Sequence, residues 1–264
     1  MIPKRYIIQW RKNSPWPDDS QVEQDLVIER AIIQIFSDPF LNENLAFRGG
    51  TALHKLYLKP QVRYSEDIDL VQIKEGPIKS ILVAIREQLK FLGTKRKVKQ
   101  NVNMNTVTYR FESEIPPVIN LRLKVEINCR EHFNVLGWSE IPFAVNNEWF
   151  TGNTNLRTYK VNELLGTKLR ALYQRSKGRD LFDLHYSMLN TDIDIEQIVH
   201  CFKEYIHFST GKRVPSQKEF LKNIELKEND PNFTGDMEAL LRSGINYNQH
   251  EAFEWLKSDM ISKF

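Results

Sequence analysis

Leu121, Leu123, Val125 and Ile127 alternate with Arg122, Lys124, Glu126 and Asn128, the clearest period-two stretch in the chain and the pattern of a strand with one wet face. Two shorter stretches share the period. Ser65 to Ile73 sets Ile68 and Leu70 against Asp67 and Asp69, and Thr106 to Phe111 alternates through Val107, Tyr109 and Phe111. Leu45-Ala46-Phe47-Arg48 is a short apolar run stopped by Gly49-Gly50. Helical composition from Thr51 to Leu58 follows until Lys59-Pro60, so the expected order is strand, glycine turn, helix.

Helical periodicity fills most of the remainder. Ser20-Gln21-Val22-Glu23 has the form of a capping box, which predicts a helix over about 20–37, ended by Asp38-Pro39. Lys79 to Leu92 reads as an amphipathic helix closed by Gly93. Beyond a loop expected around Gly152-Asn153 the strand pattern does not recur. Asn162 to Ser176, Arg179 to Leu189, Glu196 to Phe208, Gly235 to Leu241 and Gln249 to Phe264 read as helices. The chain is therefore expected to be α+β, with strands and flanking helices over 1–150 and a helical domain over 151–264.

Composition narrows this picture modestly. A chain of 264 residues with 41% hydrophobic and 27% charged residues suits two ordinary domains. The longest apolar runs, such as Ile81 to Ile85, fall far short of the ~20 residues of a membrane span, and Met1 to Trp16 holds no secretory apolar core. A cytoplasmic location without a membrane partner is expected. Cys129 and Cys201 are read as reduced and structural, and the six histidines show no zinc-type spacing. A net charge of +3 leans toward an anionic partner without identifying one.

The candidate chemistry lies on the polar strand faces. Asp67 and Asp69 share one face, where like charges repel and where aspartate is a poor strand former. A divalent cation relieves that repulsion and takes the hard oxygen ligands that magnesium prefers. If the strand of Glu126 lies beside that of Asp67 and Asp69, three carboxylates converge, enough for two metals around a nucleoside triphosphate. Gly49-Gly50-Thr51, opening a helix, offers free amides to phosphate. Between Arg157 and Arg179 seven cations face one acid, Glu163, and Lys168 and Arg175 stand two turns apart on one helix face, placed to clamp a polyphosphate. Lys95-Arg96-Lys97-Val98-Lys99 suits either a nucleic-acid backbone or a solvated loop. Tyr205, Phe208, Lys212 and Arg213 suit single-stranded RNA, although core packing explains the aromatics equally well.

Taken in order, Arg48-Gly49-Gly50-Thr51-Ala52-Leu53, Arg63-Tyr64-Ser65-Glu66-Asp67-Ile68-Asp69-Leu70, Leu123-Lys124-Val125-Glu126-Ile127-Asn128, Lys168-Leu169-Arg170-Ala171-Leu172 and Arg179-Asp180-Leu181-Phe182-Asp183-Leu184 resemble the AbiEii/AbiGii toxin family of the DNA polymerase β-like nucleotidyltransferases. The resemblance spans about 48–184. It implies a mixed sheet with flanking helices, followed by a helical domain that completes the cleft. It also implies a toxin of a type IV toxin–antitoxin or abortive-infection phage-defence system, with a cognate antitoxin. The implied reaction moves a nucleoside monophosphate from an NTP to a hydroxyl, the tRNA 3′ end in some members, with magnesium or manganese as cofactor.

By position the resemblance assigns Asp67, Asp69 and Glu126 to metal and catalysis, and Gly49, Gly50, Thr51, Arg63, Ser65, Lys168 and Arg175 to the nucleotide. Lys168 and Asp180 join the catalytic set. Where much of the superfamily carries Gly-Ser, this chain has Gly-Gly-Thr, which leaves backbone amides or the Thr51 hydroxyl to make the serine's contact. Two other readings of the same residues are phosphoryl transfer from NTP to a protein or tRNA hydroxyl, and a non-catalytic nucleotide- or RNA-binding module.

Overall fold

The period-two stretches become strands of one mixed sheet. The computed structural model describes residues 2–14, 16–211, 213–237 and 239–264. Its strands are β1 (Leu45–Arg48), β2 (Asp67–Gln72), β3 (Arg96–Gln100), β4 (Met104–Glu112), β5 (Asn120–Asn128), β6 (Trp138–Asn147) and β7 (Phe150–Tyr159). They lie side by side in the order β3-β4-β5-β2-β1-β7-β6, with β2–β5 and β1–β7 parallel and the other pairs antiparallel. Ile68, Leu70, Val107, Tyr109, Leu123, Val125 and Ile127 are buried from one sheet face. Helix α1 (Lys4–Trp10) packs on α2 (Asp19–Ser37), and α2 packs on β5, β6 and β7. Each large apolar side chain so buried contributes about 1.5–3 kcal/mol.

The chain divides into two units. The first comprises Met1–Leu56, Tyr64–Asn134 and Trp138–Tyr159, and holds the whole sheet with α3 (Pro39–Asn44), α4 (Gly49–Ala52) and α5 (Ile78–Gln88). The second comprises Tyr57–Arg63, Val135–Gly137 and Lys160–Phe264. It is built from α6 (Val161–Gln174), α7 (Gly178–Asn190), α8 (Ile195–Thr210), α9 (Gln217–Glu228), α10 (Pro231–Thr234) and α11 (Gln249–Trp255). Among the described residues no helix is long and apolar enough to cross a membrane. Cys129 and Cys201 are free thiols, and burial pushes Cys201 up to about 12.

Several sequence expectations are corrected. The strand β7 runs straight through Gly152-Asn153, where a loop was expected. Its alternation is hidden because Thr151, Asn153 and Asn155 are exposed while Gly152 and Thr154 hold the other face. Gly152 serves close packing, since a Cβ there would stand 3.0 Å from Ile33 Cγ2 on α2. The basic run Lys95 to Lys99 is largely strand, as β3 at the sheet edge. The helix α9, unpredicted, buries only Phe220, Ile224 and Lys227, too sparse a stripe to register. Where a helix was expected over Gly235 to Leu241, the described residues form a short turn at Gly235–Met237, and Leu241 bridges to Arg63. Tyr205 belongs to the core, its hydroxyl donating to the Glu163 carboxylate at 2.7 Å, while Phe208 is partly exposed and Lys212 lies outside the described residues.

The capping box of α2 is formed by Asp18 and Gln21, not Ser20 and Glu23. Glu23 is needed inside, where its buried carboxylate accepts the Glu114 amide at 3.0 Å. That burial pushes its carboxyl from 4.5 up to about 7. Across that window the folded chain keeps a proton that the unfolded chain has released, so stability falls as pH rises. Glu23→Gln is expected to stabilise the protein by about 1 kcal/mol at pH 8 and hardly at all near pH 4. Thermal melts at the two pH values check this, and an equal gain at both would contradict it.

Candidate active site

The sheet register brings the acids together. In the parallel pair β2–β5, Asp69 stands opposite Glu126 and Asp67 opposite Lys124. All four therefore share the face turned away from Ile68, Leu70, Val125 and Ile127. The antiparallel neighbour β1 sets Arg48 opposite Asp69, so the glycine turn begins directly over that carboxylate. Gly49 has φ +79, and a Cβ on it would lie 2.1 Å from Asp69 Oδ2. Only glycine serves both demands. Gly49→Ala is expected to cost about 1–3 kcal/mol of stability and, by displacing Asp69, to slow the chemistry roughly a hundredfold. Turnover measured beside a thermal melt checks this, and unchanged turnover would contradict it.

Thr51 serves another purpose than the one expected. It is fully buried, and its hydroxyl donates to the Asp67 carbonyl at 2.5 Å. That commits its only proton, so the Ser65 hydroxyl at 2.7 Å must donate to Thr51 Oγ1. The pair fixes the start of β2 and thereby the aim of Asp67 and Asp69, and the Thr51 hydroxyl is not left over for phosphate. After α4 the chain continues as a π-helical turn, Leu53–Tyr57. From it Lys55 reaches Asp25 at 2.7 Å and Glu29 at 2.6 Å, a buried tie to α2.

Lys124 stands among the acids, 2.7 Å from Asp67 Oδ2 and 3.3 Å from Glu126 Oε2. Asp67 Oδ1 is buried without a hydrogen-bond partner. Burial raises the Asp67 carboxyl, Lys124 offsets part of this, and Glu66 and Glu126 add to it. An all-oxygen donor set with a buried, unpartnered carboxylate oxygen fits a hard divalent cation held by Asp67 and Asp69, with Glu126 alongside. In this conformation the three carboxylates do not crowd onto one point. Among the described residues the only acid and histidine trio with ligand atoms within 4.8 Å of one another is Glu228, His250 and Glu254. There the Lys257 ammonium already lies 2.8 Å from Glu228 and 3.1 Å from Glu254.

In the second unit the residues assigned to the nucleotide meet one another. Arg63, read as a nucleotide contact, is 2% exposed, and its guanidinium lies on Asp183 through Nε at 2.6 Å and Nη2 at 2.7 Å. Lys168 is also buried, with Nζ 2.8 Å from Asp183 and 3.3 Å from Asp180. Asp180 is fully buried and accepts Arg175 Nε at 2.7 Å and Nη2 at 2.9 Å. Burial would raise the Asp180 carboxyl, but Lys168 and Arg175 outweigh it and hold it below the ordinary range. Arg175 alone of the three cations keeps about half its side chain exposed.

Asp183 therefore joins Arg63 and Lys168. Arg179 lies 3.3 Å from Asp236. Sequence reasoning also left Lys124 at the margin, though its place two residues before Glu126 on the same strand face was the available signal.

Set against known proteins, residues 30–258 match the family model described as the nucleotidyl transferase AbiEii toxin of a type IV toxin–antitoxin system. No curated protein sequence matches the chain. Among solved structures it is similar to MenT4, a nucleotidyltransferase toxin from Mycobacterium tuberculosis, with TM-score 0.70 and 15% identity over 100% of this chain and 91% of that one. It is also similar to JHP933 from Helicobacter pylori, with TM-score 0.57 and 18% identity over 93% of this chain and 91% of that one. At these identities the structural likeness speaks for the fold, which is nucleotidyltransferase-like.

Proposed function

The chain belongs to the AbiEii family of nucleotidyltransferase toxins of type IV toxin–antitoxin systems, and from that premise we propose that it transfers a nucleoside monophosphate from an NTP to the 3′ hydroxyl of an RNA, tRNA foremost. Magnesium or manganese serves as cofactor, pyrophosphate is released, a cognate antitoxin restrains the activity, and the setting is phage defence. The observation that carries the reading is the buried, unpartnered Asp67 Oδ1 beside Asp69, in register with Glu126.

Asp67 and Asp69 would hold the cation. When bound, it neutralises charge on the α-phosphoryl group and on the departing pyrophosphate. The chain's own residues do the rest. The acceptor oxygen bonds to the α-phosphorus as the bond from that phosphorus to the pyrophosphate oxygen breaks, and Glu126 accepts the hydroxyl proton. Thr51 and Ser65 hold the strand that presents the two aspartates. Gly49 and Gly50 bring backbone amides toward the phosphates. Within the second unit Arg175, half exposed, is the proposed nucleotide contact, and Lys168 and Asp180 position it.

Incubation of the protein and magnesium with total RNA and each α-labelled NTP in turn, followed by sequencing of the labelled species, tests the reading. Label at RNA 3′ ends is expected. Absence of labelled RNA with all four nucleotides would overturn it.

A further inference from the structure

The acidic face of the sheet continues past Glu126 as a basic one. Cross-strand register aligns Lys97 of β3 with Thr108, Lys124 and Asp67, and aligns Lys99 with Thr106, Glu126 and Asp69. Two rows thus cross four strands, each running from an exposed lysine at the sheet edge to a catalytic aspartate. At about 4.8 Å per strand, Lys99 lies about 10 Å from Glu126 along its row. Arg110 and Arg122, opposite one another on β4 and β5, extend the same face, and Glu112 closes its far end.

Lys97, Lys99 and Arg110 are exposed. Among the described residues they enter no ion pair, whereas Lys124 is held by Asp67 and Glu126, and Arg122 by Glu66 at 3.1 Å. A groove of about 900 Å³ adjoins these strands, with Lys95, Lys97, Arg110 and Glu112 in its lining. Unpaired cations on an edge strand oppose strand-to-strand association. That alone would not require them to stand in register with the catalytic acids on the same face.

We propose that the Lys97, Lys99 and Arg110 face is the track on which the phosphodiester backbone of the RNA acceptor lies, leading its 3′ hydroxyl toward Glu126 and the two aspartates. This rests on transfer to RNA and adds the means by which an RNA, rather than a protein, is chosen. Each phosphate seated on the track releases counterions, so binding must weaken as salt rises, by about 0.7 in log–log slope per contact for a single strand.

Fluorescence anisotropy with a fluorescein-labelled single-stranded RNA, without NTP and with EDTA present, measures the track apart from catalysis. The double variant Lys97→Glu/Lys99→Glu is expected to weaken binding by roughly tenfold or more, and Lys97→Gln/Lys99→Gln to lower the salt slope by about 1.4. Both sites are exposed, so melting should stay near wild type, and the glutamine pair keeps the test open should the glutamate pair fold poorly. Unchanged affinity and slope in both variants would overturn the proposal, as would labelling of a protein acceptor by a chain that binds no RNA. Loss of RNA binding in the variants, alongside a wild type that transfers no nucleotide, would uphold the track and sink only the proposed reaction.

Discussion

Asp69→Asn is expected to lower nucleotide transfer by at least about a thousandfold, some 4 kcal/mol of barrier, while the protein melts as the wild type does. Asparagine keeps the shape over which Gly49 closes but removes the charge that would hold a cation. Asparagine matches aspartate in size and shape, so the strand pairing on either side of position 69 should hold as in the wild type. A folded variant with near wild-type turnover would show that the β2 aspartates do not run the reaction.

Asp183→Asn should have the opposite profile, with its main effect on folding. Asp183 is fully buried and holds both Arg63 and Lys168, so its neutralisation leaves two buried cations with Asp180 as the remaining acid of the network. Removing one partner of such a pair costs about 3–5 kcal/mol, which for a chain of this size is a fall in Tm of roughly 6–20 °C. Arg175→Ala, at the half-exposed end of the same network, should cost only about 1 kcal/mol. Added salt should leave the first loss nearly intact and shrink the second, because screening acts on exposed charges. Equal melting of Asp183→Asn and wild type would show that the network does not support the fold.

Local chemistry was legible in the sequence and distant partnership was not. Period-two alternation located β2, β4 and β5, and the same period put Asp67, Asp69 and Glu126 on polar faces before any neighbour was known. The glycine turn was visible too, though not its reason, which is the approach of Gly49 to Asp69 across the β1–β2 pair. The hairpin β6–β7 escaped because Thr and Asn stand where an alternating apolar set would have marked the strand, and a glycine that packs under Ile33 looks like a turn residue. Arg63 and Asp183 are 120 residues apart, so no spacing rule could join them. Without that pairing in view, Arg63 and Lys168 were assigned to the nucleotide. The capping box failed for a related reason: the right residue types stood two residues too deep, and burial claimed Glu23 for the Glu114 amide.

The most direct test of the central claim, that the acids of β2 and β5 run a nucleotidyl transfer, follows which phosphorus moves. Wild type and Asp69→Asn are incubated side by side with RNA, magnesium and ATP labelled at either the α or the γ position. The claim predicts that wild type transfers the α label to RNA and releases the γ label as pyrophosphate, and that Asp69→Asn does neither. Arrival of the γ label on an acceptor, or undiminished α-label transfer by Asp69→Asn, would contradict it.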